Sequence, residues 1–392
     1  MQGKALEGVK IADFTWIATG PITVNYLAQY GAVDVKVDSA TRPGGSMALS
    51  TTKSASSATK YTIAINMSNP KGVEVAKRLV AWADIVAENF RAGQMEKWGM
   101  GYEDLKKINP SIIMFRSSTQ GQTGPNARTA AFGITLQSLT GFTGLTGWPD
   151  RDPSPPWDAY TDTIVAPLGA AMIIAALDYR ARTGKGQYLD LSQWEASLRY
   201  LSPAILDYFV NGRCATRAGN TCAYAAPHGV YRCAGDDRWC AIAVFSNEEW
   251  KAFCEAISEP RWTEDPKFAT MVGRKENETE LNRLIEEWSI NYTAEEVMQL
   301  LQDHGVSAGV AENAADIFQD PQIKERGLLE EIVDEELGPF STEHLAFKLS
   351  KSPAPINVPS PRVGQHTEYV CREFLGMSDE EFVDLINAGA LE

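Results

Sequence analysis

The 392-residue sequence lacks most of the motifs that reveal an enzyme's chemistry. It has four histidines and six cysteines, with no Cys-x-x-Cys pair and no histidine spacing typical of metal ligands. No Gly-x-Gly-x-x-Gly turn follows the first predicted strand, and there is no P-loop, Gly-x-Ser-x-Gly elbow or His-Glu-x-x-His motif. We therefore expect no metal, and neither dinucleotide binding nor a catalytic serine.

Signals for export or membrane insertion are also missing. The first eight residues are polar and lack the basic and apolar regions of a signal peptide. The uncharged stretch at residues 163–177 is shorter than the ~20 residues that a membrane span requires. We therefore expect a cytoplasmic protein without a membrane partner, in which residues 163–182 form a buried helix.

The charge is negative overall but unevenly distributed. A net charge of −15 argues against nucleic acid as a partner, because phosphate binding needs clustered Lys and Arg. Residues 1–120 nevertheless contain 14 basic and 10 acidic residues, whereas the rest of the chain contains 22 and 41. A small polyanionic ligand would bind best in the first third, although acidic surfaces that serve solubility explain the gradient equally well.

The first third alternates β-rich runs with amphipathic stretches, which is typical of parallel α/β folds. The pattern predicts strands at residues 9–14, 33–38, 61–67, 84–88 and 111–116, and helices at residues 21–30, 70–83 and 102–108. Right-handed crossovers would arrange these strands in a doubly wound, Rossmann-like sheet. We predict an α/β protein with a large domain, whose N-terminal part is residues 1–212, and a smaller α+β domain at residues 221–320.

The middle of the chain predicts a site. Residues 119–160 are rich in Gly, Thr and Pro, which predicts long loops. After the apolar helix, the pattern predicts a turn, a strand at residues 187–191 and a long helix at residues 193–210. Asp162 immediately precedes the predicted apolar helix. It could be only an N-cap, or it could be an ionised nucleophile covered by the glycine-rich loops.

Nine segments, in this order and spacing, resemble the class III CoA-transferases of the formyl-CoA transferase and carnitine CoA-transferase type. They are LEGVKIADFTWIATGP (6–21), GAVDVKVD (31–38), YTIAINMSNPKG (61–72), ADIVAENFRAG (83–93), MGYEDLKKINPSII (100–113), GQTGP (121–125), TDTIVAPLGAAMIIAAL (161–177), RTGKGQYLDLSQWEA (182–196) and GQHT (364–367). The resemblance implies a CoA-binding large domain to which residues 325–392 return, and an interlocked dimer.

The resemblance also implies a site and a reaction. Asp162 would be the catalytic aspartate, forming covalent anhydride and aspartyl-CoA intermediates without a tightly bound cofactor, with a CoA thioester and a carboxylic acid as substrates. The implied CoA contacts are Trp16, Ile17, Ala18, Ile65, Met67, Ser68, Asn89, Phe90, Arg91, Lys97 and Phe132. Each of these could instead be a core residue or part of a solvated face.

Departures from the family pattern bear on specificity. Formyl-CoA transferases have glutamine where this chain has Ala18, and no run of four glycines occurs in residues 212–240, so formyl-CoA and oxalate are doubtful substrates. Related racemases have a histidine in the region of residues 127–133, which here contains none, so transfer is favoured over racemisation.

Several alternatives remain open at this point. They are an acyl-CoA racemase or isomerase, a non-catalytic CoA-binding subunit, and a homodimer or a heteromer with a paralogous chain. Two segments, ATGP and APHGVY, resemble benzylsuccinate-type transferases that use succinyl-CoA. Four aromatic residues predicted near the site are consistent with a bulky acceptor acid, namely Trp16, Trp148, Trp157 and Tyr160.

Overall fold

A computed structural model describes residues 3–39, 60–157, 159–334, 338–354, 359 and 361–392. Contacts within the chain divide it into two compact units. The large unit comprises Met1–Thr143, Pro155–Ala215 and Ile323–Glu392, and the small unit comprises Gly144–Ser154 and Thr216–Gln322.

A six-stranded parallel sheet forms the centre of the large unit. Its strands are β1 (Lys10–Asp13), β2 (Val33–Asp38), β3 (Lys60–Ala64), β4 (Ile85–Glu88), β5 (Ile113–Ser118) and β6 (Tyr188–Ser192). They lie in the order β3-β2-β1-β4-β5-β6. The order reverses between β1 and β4, so the sheet is doubly wound, as predicted, and has a crevice outside the carboxyl ends of these strands.

Helices cover both faces of this sheet. They are α1 (Thr19–Gln29), α2 (Pro70–Trp82), α3 (Gln94–Lys97), α4 (Tyr102–Ile108), α5 (Gly133–Thr140), α6 (Phe142–Leu145), α7 (Tyr160–Thr183), α8 (Gln193–Leu198) and α9 (Ser202–Asn211). One buried apolar cluster joins the sheet to α2, α4 and the C-terminal residues, and another joins it to α1 and α7. Alternate residues of each strand therefore supply two cores.

Local signals explain several helix boundaries. The Asn69 side chain accepts a hydrogen bond from the backbone N–H of Lys71, and Pro70 occupies the first turn of α2. Helix α7 ends at Gly184, whose φ of 72° is a left-handed conformation that glycine adopts without strain. These boundaries agree with the prediction to within two residues.

Three local predictions are wrong. The stretch predicted to be loops contains α5 and α6. The long helix predicted over residues 193–210 is divided into α8 and α9 by a 3₁₀ turn at Arg199–Leu201, just before Pro203. Helix α7 begins at Tyr160, so its first turn includes residues that were assigned to the preceding loop.

The small unit contains a three-stranded antiparallel sheet, ordered β7-β8-β9. Its elements are β7 (His228–Arg232), β8 (Trp239–Ala243), α10 (Asn247–Ala256), α11 (Met271–Glu276), α12 (Glu278–Ser289), α13 (Ala294–Asp303), β9 (Ser307–Val310) and α14 (Ala314–Gln319), with 3₁₀ turns at Arg261–Glu264 and Pro266–Phe268. Strand β9, which the sequence pattern did not predict, completes this sheet.

The last part of the chain belongs to the large unit. It contains α15 (Pro321–Arg326), in which the boundary between the units falls, the hairpin β10 (Leu329–Asp334) and β11 (Gly338–Glu343), α16 (Thr367–Tyr369), a π-helical turn (Val370–Phe374) and α17 (Asp379–Asn387). Leu391 forms an antiparallel bridge with Ile65, and the backbone N–H of Glu392 donates to the carbonyl of Ala64. The C-terminal residues thus pack beside the carboxyl end of β3.

Candidate active site

Asp162 lies within the first turn of α7 and is 9% exposed. The expected position of Asp162 immediately before the helix is wrong, and so is the alternative that it is only an N-cap, because Ala159 occupies the N-cap position and makes no side-chain cap. A carboxylate in the first turn is stabilised by the positive end of the helix dipole. The sequence pattern located the start of the apolar core of α7 but not the preceding turn, whose residues are polar or aromatic.

The hydroxyl of Thr19 donates a hydrogen bond to Oδ1 of Asp162 over 2.7 Å. Thr19 is 1% exposed and begins α1, which packs against α7. One turn further along α1, the hydroxyl of Thr23 donates to the carbonyls of Thr19 and Ala166. Sequence analysis did not identify Thr19, because 143 positions separate it from Asp162.

The other carboxylate oxygen of Asp162 lies beside Gly133, the first residue of α5. A Cβ atom at this glycine would lie 2.9 Å from Oδ2 of Asp162 and 2.6 Å from the Cβ of Ala159. These separations are shorter than ordinary van der Waals contacts, so a side chain cannot be accommodated here without movement. The backbone of Gly133 therefore packs closely against Ala159 and Asp162, and glycine is the residue that fits here without movement.

The first βα loop has a strained backbone beside this carboxylate. Ile17 and Ala18 have positive φ values of 48° and 38°, which residues with a Cβ rarely adopt. Asn89, which follows β4, holds the loop: its Oδ1 accepts from the N–H of Trp16, and its Nδ2 donates to the carbonyls of Trp16 and Ile17. These bonds span 2.6, 2.5 and 3.2 Å. The amide of Asn89 is thus engaged with the loop backbone.

Buried charged side chains on β1 and β2 contact each other and the start of the same loop. Lys36, which is 3% exposed, donates to the backbone carbonyl of Thr15 and lies 3.5 Å from the carboxylate of Asp13. On the neighbouring pair of strands, Lys60 lies 3.7 Å from Asp34. Burial, reinforced by the charge of Asp13, raises the pKa of Asp34 to about 7.

A groove of about 270 Å³ opens at the carboxyl ends of β2 and β3. It is lined by Phe14, Val37, Asp38, Ser39, Ile65, Asn66, Met67, Ser68, Phe90 and Trp98. Four of the predicted CoA contacts therefore line one groove, namely Ile65, Met67, Ser68 and Phe90. The structure brings these four together.

The remaining predicted contacts are distributed around the same edge of the sheet. Trp16, Ile17 and Ala18 are half-buried in the first βα loop, whereas Arg91 and Lys97 are exposed beyond β4. Phe132 precedes α5 and is 61% exposed. None of these six lines the groove at β2 and β3.

Glu88, the last residue of β4, supports the turn that carries Asn89. One carboxylate oxygen of Glu88 accepts from the backbone N–H of Phe90 over 2.6 Å, and the other accepts from the guanidinium of Arg116. Burial raises the pKa of Glu88 to about 7, although the charge of Arg116 and both hydrogen bonds lower it. Arg116 also pairs with Glu96 over 2.5 Å.

The structure also bears on metal binding and on membrane insertion. Within the described ranges, no group of three or more His, Cys, Asp or Glu side chains is placed to hold a metal ion. Among the described helices, α7 is long and apolar enough to cross a bilayer by length and composition, with 44% of its most apolar window buried. A core helix passes the same test, and the first turn of α7 holds the buried Asp162.

The large unit is thus a doubly wound α/β sheet with the buried Asp162 bound by the first residue of α1. The family described as CoA-transferase family III matches residues 6–367. The chain therefore belongs to CoA-transferase family III, which confirms the predicted class and its activity of moving CoA between acyl-CoA and acids.

The sequence is similar to those of several known proteins along nearly its whole length. The chain is 31% identical over 390 residues to the succinyl-CoA–D-citramalate CoA-transferase of Chloroflexus aurantiacus, covering 97% of each protein. It is 30% identical to the beta subunit of succinyl-CoA–L-malate CoA-transferase from the same organism, covering 97% of this chain and 96% of that subunit. A solved structure of a CAIB/BAIF family protein from Brucella suis is 29% identical, with a TM-score of 0.86, and covers 95% of this chain and 100% of that one.

Proposed function

We propose that the chain transfers CoA from succinyl-CoA to a carboxylic acid through covalent intermediates on Asp162. The observation that carries this proposal is the burial of Asp162 in the first turn of α7, with Oδ1 bound by Thr19 and Oδ2 beside Gly133. A carboxylate that is oriented and shielded from bulk water can act as a nucleophile. The names of the two relatives from Chloroflexus support succinyl-CoA as the donor.

The proposed reaction begins when an oxygen of Asp162 attacks the thioester carbonyl, which gives a mixed anhydride and CoA thiolate. The thiolate then attacks the aspartyl carbonyl carbon and displaces the donor acid, leaving an aspartyl-CoA thioester. The acceptor carboxylate repeats the two steps in reverse. A weak nucleophile is sufficient because the leaving group is a thiolate whose conjugate acid has a pKa of about 8.5.

CoA would lie along the carboxyl edge of the sheet. We propose that the groove containing Ile65, Met67, Ser68 and Phe90 binds the nucleotide half, with the exposed cations Arg91 and Lys97 near its phosphates. Loop residues Trp16, Ile17 and Ala18 would direct the thioester towards Asp162, with Phe132 on the side of α5. In this proposal Asn89 acts through the loop, because its amide already holds the backbone of Trp16 and Ile17.

An apolar helix surface supports assembly of the chain into a dimer. No residue of α9 is buried, and three of its consecutive apolar or aromatic residues, Tyr208, Phe209 and Val210, are 62%, 85% and 65% exposed. Large apolar side chains that are this exposed mark an interaction site more often when several occur on one helix than when they occur singly. We propose a cytoplasmic homodimer, with a heteromer containing a paralogous chain as the alternative that the subunit name of one relative supports.

The test is an assay of the purified chain with succinyl-CoA and a panel of carboxylic acids, in which new acyl-CoA is measured. Asp162→Asn should reduce the rate by at least about 10³-fold. Asp178→Asn, on the same helix but exposed and paired with Arg182, is the matched control and should retain the rate. Full activity of Asp162→Asn would contradict the proposal.

Two other outcomes would identify the alternatives. Exchange of the α-deuteron of a 2-methylacyl-CoA without any acceptor acid would indicate a racemase. Activity only after addition of a paralogous chain would indicate a subunit of a heteromer.

A further inference from the structure

We propose that the buried ion pair of Asp13 and Lys36 positions the first βα loop, and through it the start of α1, for CoA transfer. This inference rests on the proposed function and deepens it, because it assigns two buried positioning residues to the reaction. Its basis is the set of contacts that the ion pair makes with Thr15, the second residue after β1.

Asp13 and Lys36 bind both polar groups of the Thr15 backbone. Oδ1 of Asp13 accepts from the N–H of Thr15 over 2.7 Å, and Nζ of Lys36 donates to the carbonyl of Thr15. The same Nζ lies 3.3 Å from Oγ1 of Thr15 and 3.5 Å from Oδ2 of Asp13. All three residues are buried, so these charge-assisted bonds are shielded from bulk water. The ion pair therefore fixes the position of Thr15.

Thr15 in turn packs against the first turn of α1. A Cβ atom added to Gly20 would lie 2.5 Å from Cβ and 2.6 Å from Cγ2 of Thr15. These separations are shorter than ordinary van der Waals contacts, so the backbone of Gly20 lies directly against this side chain. Gly20 follows Thr19, whose hydroxyl donates to Oδ1 of Asp162. A displacement of Thr15 would therefore disturb the residue that binds the proposed nucleophile.

The loop that follows Thr15 depends on such support. Ile17 and Ala18 have φ values of 48° and 38°, and a backbone in this region persists only where the surrounding contacts hold it. The hydrogen bonds of Asn89 hold the middle of this loop, and the ion pair holds its beginning. Loss of either set of bonds should allow the strained residues to relax.

A second buried ion pair on the same sheet provides the comparison for a purely structural role. Lys60 lies 3.7 Å from Asp34, and the two residues are direct neighbours across β2 and β3, as Asp13 and Lys36 are across β1 and β2. Lys60 is the first residue of β3, whereas Asp13 is the last residue of β1. Among the contacts of the described residues, none joins the side chain of Lys60 or Asp34 to the first βα loop.

The experiment compares two double variants, each of which neutralises one pair without leaving a single buried charge. In Asp13→Asn/Lys36→Met an oxygen at position 13 can still accept from Thr15, but the donor to the carbonyl of Thr15 is lost. Its kcat should fall by about 10-fold, with KM for succinyl-CoA changed by less than about three-fold. Asp34→Asn/Lys60→Met should keep kcat within about three-fold. Melting temperatures measured alongside report the contribution of each pair to folding.

A third variant tests whether the ion pair acts through the loop. Addition of Asn89→Ala to Asp13→Asn/Lys36→Met should lower kcat by less than the product of the separate losses, because both changes release the same loop. Asn89→Ala added to Asp34→Asn/Lys60→Met should instead give the full product. A purely structural role of both pairs would give the full product in both cases.

Gly20→Ala disturbs the contact between Thr15 and α1 without changing a charge. It replaces the double variant if Asp13→Asn/Lys36→Met does not fold. Its kcat should fall by about 10-fold, because the added Cβ would displace the first turn of α1 from Thr15. A kcat equal to that of the wild type would overturn the inference.

Two further results would overturn it. One is an equal kcat of the two double variants, and the other is full multiplication of the losses when Asn89→Ala is added to Asp13→Asn/Lys36→Met. These failures are distinguishable from failure of the proposed function, which would appear in the wild-type chain as an absence of transfer to acids or of an adduct on Asp162.

Discussion

The large and small units treat buried charge differently. Among the described residues, the large unit buries Asp13, Asp34, Lys36, Lys60, Glu88, Arg116 and Asp162. In the described small unit, Arg274 is the buried charged residue, and it is held by the carbonyls of Ala226 and Phe268 and by the face of Trp250. Because a buried ion loses its hydration, such groups weaken folding unless they are paired.

The large unit therefore carries most of the buried charge that weakens folding, and the proposed active site lies in this unit. Asp13 and Glu88 are the last residues of β1 and β4, Lys36 donates to the first βα loop, and Asp162 lies in the first turn of α7. The small unit instead encloses an ordinary apolar cluster around Trp250 and Phe253. Substitutions in the large unit should therefore affect activity more than stability, and substitutions in the small unit the reverse.

The largest effect that sharpens this comparison is expected for Gly133→Ala. The added Cβ would approach both Oδ2 of Asp162 and Ala159, so the carboxylate of Asp162 must move, and kcat should fall by about 10²-fold if Asp162 is the nucleophile as proposed. Gly144→Ala in the small unit is the control, because a Cβ there meets no atom within 4 Å. Steady-state kinetics of the two variants provide the measurement, and equal rates would remove the distinction between the units.

The next largest effect on kcat is expected for Asn89→Ala, with Asn282→Ala in the small unit as its comparison. Asn89→Ala removes the bonds that hold Trp16 and Ile17, so the strained loop should relax and kcat should fall by about 10-fold. Asn282→Ala in the small unit leaves the buried hydroxyl of Tyr231 without its acceptor, and the free energy of unfolding should fall by about 1–2 kcal/mol.

Activity assays and urea denaturation of both variants test this pair. An equal decrease of kcat in the two variants would contradict the expected difference between the large and small units.

The smallest effect concerns the pH dependence of stability. The pKa of Glu88 is about 7 in the folded protein and about 4.3 in an unfolded chain, so between these values the folded state binds a proton that the unfolded state has released. The free energy of unfolding should therefore decrease as the pH rises from 5 to 8.

Urea denaturation at both pH values checks this expectation. Glu88→Gln does not titrate, so its decrease should be smaller than that of the wild type. A decrease of the same size in both proteins would show that Glu88 does not carry the effect.

Much of the sheet was predictable from sequence because its signals are local. The β-rich runs and the Asn-Pro start of α2 are short-range patterns, and the strands and helix lie where these patterns predict them. The strand β9 was missed because Ala and Gly, which have little β propensity, form the middle of Ser307–Val310. Similarly, α5 was concealed in a stretch rich in Gly and Thr, residues that disfavour helices in isolation.

The site was only partly predictable, because its contacts join distant parts of the chain. Family resemblance located Asp162, but the bond to Thr19 and the close approach of Gly133 depend on how α1, α5 and α7 pack. Asn89 was predicted as a CoA contact on the same grounds. Its engagement with the loop at residues 16–17, 72 and 73 positions earlier, becomes visible only when β1 and β4 are neighbours in the sheet.

Peptide mass mapping of the wild-type chain after brief incubation with succinyl-CoA tests the central claim most directly. A mass increase equal to CoA or succinyl should appear on the peptide containing Asp162, disappear after treatment with hydroxylamine, and be absent from Asp162→Asn. An unmodified Asp162 peptide in a chain that is actively transferring CoA, or an adduct on another residue, would contradict the account.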